Sequence, residues 1–68
     1  MYIIIEIQTN NGTVSILPAV IKETRNEAES VYHSILAAAA ISGLDCHSAV
    51  LLTNEGQLIM SQCYTNEE

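Results

Sequence analysis

The polar side chains at the start of the single predicted helix are the residues whose types and spacing could bind a ligand. Arg25, Glu29 and His33 recur every four residues, so they form a row along one helix face, beside Tyr32. Lys22, the only other cation of the chain, lies three residues before Arg25. Because the free N–H groups of a helix N-terminus attract anions, the sequence predicts a ligand-binding set of Lys22, Arg25, Glu29, Tyr32 and His33. The plainer interpretation is a solvated helix face with one charge pair.

The two cysteines and two histidines are the only soft metal ligands in the chain: Cys46, His47, Cys63 and His33. Their spacing matches no standard zinc pattern, so we predict no metal site. His47 and Cys63 could face each other if the second hairpin has a three-residue loop, and a register slip of one residue would change these neighbours. A catalytic Cys–His pair, however, needs a cleft and a third orienting group. We expect both cysteines to be free thiols that pack as small hydrophobic residues in the strands.

Catalytic motifs are missing from the sequence. It contains no Gly-x-Ser-x-Gly elbow and no Gly-rich phosphate loop. The carboxylates of Glu6 and Glu29 have no evident partner for acid–base chemistry. We therefore expect a protein that is not an enzyme and that uses no cofactor.

The first part of the chain has the pattern of a β-hairpin. Alternation and β-branched residues predict a strand at Tyr2–Gln8 and a returning strand at Thr13–Leu17. Asn11-Gly12 tolerates the positive φ angles of a tight hairpin turn. Pro18 cannot donate to a ladder, so it should lie at a strand end or on an edge.

One helix of about Arg25 to Ser42 follows. Thr24 and Glu27 fit a capping box at its start, and Gly43 followed by Leu44 fits a Schellman stop. Apolar residues lie at helical spacing on a main stripe. A second stripe, which one sheet cannot cover as well, predicts an oligomer interface at Leu36, Ala37, Ala40 and Ile41.

A second hairpin should complete the fold, with strands at Cys46–Thr53 and Gln57–Tyr64 around the turn at residues 54–56. The predicted class is α+β: a ββαββ arrangement with a four-stranded antiparallel sheet and one helix on one face. We expect one domain at residues 1–64 and a polar acidic tail at residues 65–68.

Size and composition favour a homo-oligomer. A chain of 68 residues buries only about 60% of its unfolded surface, yet 49% of its residues are hydrophobic. The net charge of −6 leaves no basic face for nucleic acid. The apolar run Tyr2–Ile5 is too short for a signal peptide or a membrane span, so we expect a reduced intracellular compartment.

Several segments of the chain together resemble a group of small proteins encoded by bacteriophages and prophages of gut bacteria. The segments are Arg25-Asn26-Glu27-Ala28-Glu29, Tyr32-His33, Leu36 to Ala40, His47-Ser48-Ala49 and Thr53 to Gly56, with a similar opening at residues 4–10. The resemblance covers nearly the whole chain. It implies a viral origin and the cytoplasm of an infected bacterial host, and it supplies no catalytic residue.

Three functions are compatible with a small acidic viral protein of this kind. The first is a counter-defence oligomer that sequesters a host nucleotide-type immune signal or blocks a defence protein, with Arg25, Tyr32 and His33 contacting phosphate, base and ribose between subunits. The second is a structural or assembly protein of the virion, without a small-molecule ligand. The third is an acidic inhibitor that competes with nucleic acid.

Overall fold

Five strands and one helix follow one another in the order βββαββ within residues 1–65, the part of the chain that the computed structural model describes. They are β1 Tyr2–Asn10, β2 Thr13–Ile16, β3 Val20–Lys22, α1 Arg25–Ala40, β4 Cys46–Thr53 and β5 Leu58–Thr65. The α+β class, with one helix and an antiparallel sheet, is confirmed. The strand count is corrected from four to five. Thr65 ends β5, and residues 66–68 of the predicted tail lie outside the described residues.

The sheet has the order β2-β1-β4-β5, and β3 also pairs with β1. The two short strands divide one edge of β1 between them: Ile16 of β2 lies opposite Ile7, and Ile21 of β3 lies opposite Ile3. Pro18 falls between β2 and β3, as expected for a residue that cannot donate to a ladder. With only three residues, β3 is too short to give a periodic signal, which explains why the sequence pattern misses it.

The first hairpin is the predicted tight turn. Asn10 pairs with Thr13, and the two loop residues Asn11 and Gly12 have φ angles of 55° and 80°. Positive φ at both positions is the requirement of a type I′ turn. The Asn11 N–H also donates to the Asp45 carboxylate at 2.8 Å, which ties this turn to the chain before β4.

The second hairpin contains a bulge that shifts its register. Thr53 N–H donates to the Gln57 carbonyl at 2.9 Å, so the loop has the predicted three residues. Leu52 then pairs with Leu58 but Leu51 pairs with Met60, so Ile59 is an extra residue. His47 consequently lies opposite Tyr64 rather than Cys63. Of the two registers that the sequence leaves open, the structure therefore has the one that is slipped by one residue.

The prediction of free thiols is also wrong, because Cys46 and Cys63 form a disulfide. The two residues lie on the neighbouring strands β4 and β5, two positions apart in register, with Cα atoms 6.7 Å apart. That separation is within the range that a disulfide can span. The 17-residue spacing between them gives no such indication without the register.

Helix α1 begins as predicted and ends earlier. Thr24 is the N-cap, and its side-chain oxygen accepts from the Glu27 N–H at 3.2 Å. The helix stops at Ala40, where Ile41 and Ser42 N–H groups donate to carbonyls three residues back. Gly43 does not adopt positive φ, so the expected Schellman stop is not formed and a tighter 3₁₀-type turn replaces it.

The hydrophobic core lies between α1 and one face of the sheet. Its fully buried strand residues, Ile4, Ala49 and Leu51, lie on the central strands β1 and β4. The helix contributes Ala28 and Tyr32 and also Leu36, which is buried. Leu36 thus belongs to the core of its own chain and is not available to the second stripe at which the sequence places it.

Candidate functional site

The residues predicted as a ligand-binding set at the helix start do not converge on one site. Tyr32 is buried in the core with 3% of its surface exposed, whereas its neighbour His33 is exposed and contacts it edge to face. Arg25 Nε lies 2.7 Å from Glu29 Oε2, so each compensates the charge of the other. Lys22 ends β3 opposite Tyr2. Of the predicted set, Lys22, Arg25, Glu29 and His33 keep accessible surface, while the Tyr32 ring packs inside.

Burial has an electrostatic consequence at Tyr32. It raises the pKa of the Tyr32 hydroxyl above its ordinary value, because the phenolate would lose its hydration there, and repulsion from Tyr64 adds to the effect. Tyr32 therefore stays neutral at physiological pH. It fills the core and does not serve as a charged or ring-stacking ligand group.

The predicted helix-side interface keeps three accessible members. Ala37 and Ala40 are exposed, and Ile41 is 89% exposed just after the last helical residue. Two alanines and one isoleucine offer a small apolar area. This interface remains a prediction.

A larger apolar surface lies on the side of the sheet opposite α1, which we call the open face. Side chains alternate along a strand, and because Ile4 and Leu51 point to the helix, their neighbours point away. The apolar members of the open face are Ile3, Ile5, Ile7, Val14, Ile16, Ile21, Val50, Leu52 and Leu58. The others, by the same register, are Thr9, Cys46, Ser48, Ser61, Cys63 and Thr65.

The open face has two properties that distinguish it from ordinary protein surface. Ile16, Ile21 and Leu58 are each at least 60% exposed. Among the described strand residues, none of its members carries a charge. Extended apolar surface of this kind marks an interaction site in a folded protein.

A polar cluster lies on the other side of the sheet, beneath α1. His47, only 5% exposed, has its Nε2 2.5 Å from Glu6 Oε2, to which it donates. Gln8 Nε2 donates to the same oxygen at 3.1 Å. Glu6 thus has the partner that the sequence does not reveal, since His47 is 41 residues away and the pairing of β1 with β4 brings the two together.

Glu6 also lines a groove between β1 and one side of α1. The groove has a volume of about 380 Å³, and its other lining residues are Ser30, Val31, Ser34, Ile35 and Ala38. The helical residues fall in two rows of four-residue spacing, which places them on one side of α1. The only sequence signal for this site is that Glu6 and Gln8 share a strand face with the apolar residues Tyr2 and Ile4.

Residues 1–65 contain neither a cluster of metal ligands nor a helix that could span a membrane. No three His, Cys, Asp or Glu side chains in this part of the chain converge as metal ligands would. Helix α1, with 16 residues, is not long and apolar enough to cross a membrane.

Comparisons of the chain with protein families, curated proteins and solved structures find no match. The open face, the groove and the helix start are the features from which a function can be inferred.

Proposed function

We propose that this chain is a non-enzymatic binding module that acts as a homo-oligomer, in which two copies join through their open faces. The observation that carries the proposal is the uncharged, exposed apolar surface of the open face, with Ile16 70% exposed. Covering it with a second sheet would give a four-layer arrangement of helix, sheet, sheet and helix, with a second core between the sheets.

The size of the open face suits a second copy. Four strands at a spacing of about 4.8 Å and nine residues of β1 at a rise of about 3.3 Å give a face of roughly 19 by 30 Å. Two such faces in contact would remove roughly 1,100 Å² from water, close to the lower bound of about 1,200 Å² for specific interfaces.

Charge does not oppose a second copy at the open face. Each chain carries a net charge of −6, so two copies repel wherever their carboxylates approach. Glu6 lies on the helix side of the sheet, Glu27 and Glu29 are on α1, and Asp45 and Glu55 are in loops. A two-fold contact between open faces brings identical uncharged patches together and keeps these carboxylates apart.

A matched pair of substitutions tests the proposal. Ile16→Lys puts a charge on the open face, and Ile41→Lys makes the same change at the helix end, where the native side chain is even more exposed. Light scattering after size exclusion should show a dimer for the native chain and for Ile41→Lys, and a monomer for Ile16→Lys, because a buried unpaired ammonium opposes association. Dissociation by Ile41→Lys alone would overturn the proposal and favour the helix-side interface.

The biological role that we propose for the module is counter-defence in an infected bacterium, by occupying a host immune signal or a defence protein. For an anionic nucleotide, the available cations are Lys22 and Arg25, and Glu29 at 2.7 Å already compensates Arg25. This arrangement lends limited support to a nucleotide and leaves a protein target or an uncharged or cationic signal better supported.

Ligand screening by thermal shift separates these targets. Cyclic and ADP-ribose-type nucleotides should raise the melting temperature if a nucleotide is bound, and Arg25→Ala should remove the shift. No shift with any nucleotide would end that version of the role. The open face would serve a virion assembly protein equally well, and finding the chain in purified particles would favour that alternative.

A further inference from the structure

The groove beside α1 combines an anionic group with apolar walls. Val31, Ile35 and Ala38 supply the apolar surface, Ser30 and Ser34 supply hydroxyl groups, and Glu6 supplies the single carboxylate. A volume of about 380 Å³ is within the range of small-molecule sites, roughly 300–1,000 Å³.

The Glu6 carboxylate is held in place by two donors that use the same oxygen. Gln8 Nε2 and His47 Nε2 both donate to Oε2, at 3.1 and 2.5 Å. No hydrogen bond among residues 1–65 uses Oε1. One oxygen is therefore fixed by the fold, and the other accepts no hydrogen bond from the described residues.

Within residues 1–65, the His47 side chain makes no other hydrogen bond. Its Nδ1 is buried and has no hydrogen-bond partner among the described residues. An unpaired buried polar atom costs free energy, so the position is poor as a purely structural choice. Its single hydrogen bond orients Glu6, which makes His47 a positioning residue for the groove.

We propose that this groove binds a small organic cation: a primary ammonium group on a short aliphatic chain. The ammonium donates to Glu6 Oε1 and to the hydroxyls of Ser30 and Ser34, since an ammonium has three donors and no acceptor. The aliphatic chain lies against Val31 and Ile35. An anion would meet the carboxylate and the net negative charge of the protein, so anions are excluded from this groove.

This inference rests on the proposed binding function, because it names the ligand class of that module. The groove and the open face lie on opposite sides of the sheet. Ligand binding and pairing can therefore be measured separately on the same sample.

The test is an amide NMR titration of the full chain with n-butylammonium chloride, with n-butanol and sodium butyrate as the neutral and anionic analogues. We expect saturable shifts at the groove residues with n-butylammonium and none with the other two. Glu6→Gln keeps the shape of the side chain and should weaken binding about tenfold or more, as the loss of a charge-assisted hydrogen bond implies. Glu55→Gln removes the same charge in the exposed turn of the second hairpin, outside the groove, and should leave binding unchanged.

A second variant covers the case in which Glu6→Gln disturbs the fold. Ser34→Tyr is an exposed helical substitution that fills the groove and leaves the Glu6 cluster intact, so it should also abolish the shifts. Absence of saturable shifts in the native chain, or equal binding by Glu6→Gln and the native chain, would overturn the proposal.

Two comparisons complete the test. Tighter binding of Nα-acetyl-lysinamide than of n-butylammonium would overturn the small-molecule assignment in favour of a lysine side chain of a protein. Sedimentation of the same samples separates the two proposals: a dimer that ignores n-butylammonium contradicts only the groove, and a monomer that binds it contradicts only the pairing.

Discussion

The two faces of the sheet differ in how their side chains are covered. On the helix side, the apolar residues are covered by α1, and the Glu6 carboxylate accepts hydrogen bonds from His47 and Gln8. On the open face, large residues such as Ile16 and Leu58 are as apolar as a core but have no cover within the described chain. Helix α1 thus covers one face within the chain, whereas the cover of the other face is the second copy that we propose.

The largest expected effect comes from making the same substitution, isoleucine to alanine, on each face of the sheet. Ile4 is 1% exposed, so Ile4→Ala should cost about 2–5 kcal/mol of unfolding free energy at any protein concentration. Ile16→Ala removes an equal volume from an exposed position. Within a single protomer it should cost less than about 0.5 kcal/mol, with a larger loss only where the chain is paired. Urea unfolding at two protein concentrations measures both; equal losses for the two variants would remove the distinction between the faces.

The disulfide sharpens the comparison, because Cys46 and Cys63 both lie on the open face. A cross-link that closes a loop of this length stabilises by about 3 kcal/mol. Reduction should lower the urea midpoint of the native chain, and a Cys46→Ser/Cys63→Ser double variant should not respond to the reductant. Two titratable thiols per chain in unreduced, denatured protein would contradict the bond.

Loss of the helix cap should lower the stability of the protomer without changing the pairing through the open face. Thr24→Ala removes the acceptor for the Glu27 N–H, and loss of such a cap costs about 1 kcal/mol. Thr24→Ser keeps the hydroxyl and should retain most of the stability. Thermal unfolding measures the loss, and the fraction of paired chains at room temperature should be unchanged. A change in pairing would show that α1 contributes to the interface.

The smallest effect is a pH dependence that originates in the core. Burial raises the pKa of Tyr32 in the folded state, so its contribution to stability is complete below the unfolded pKa and is lost as pH rises through the folded value. Stability should therefore fall above about pH 10, the ordinary tyrosine pKa. Tyr32→Phe cannot ionise and should show a weaker decline in urea midpoint. An identical decline in both would place its origin elsewhere.

Local chemistry in the sequence predicts much of this fold. Asn11-Gly12 identifies the first turn because both residues tolerate positive φ, and Thr24 identifies the helix start because its hydroxyl satisfies a free N–H. No residue type in the sequence identifies the bulge at Ile59, since its neighbours Leu58 and Met60 are equally apolar. That one extra residue decides which side chains face each other across β4 and β5.

The candidate sites are less predictable because they depend on pairing over long distances in the chain. Glu6 meets His47 only through the register of β1 with β4. Leu36 belongs to the core rather than to an interface, because α1 is oriented with Ala28, Tyr32 and Leu36 toward the sheet. Helical spacing alone allows either orientation.

Sedimentation equilibrium of the native chain at micromolar concentration tests the central claim most directly. Covering of the open face by a second copy predicts a mass of twice the 7.4 kDa of one chain, which reverts to one chain on dilution. A stable species of 7.4 kDa throughout would contradict the account, because the open face, with Ile16, Ile21 and Leu58 each at least 60% exposed, would then have no second copy to cover it.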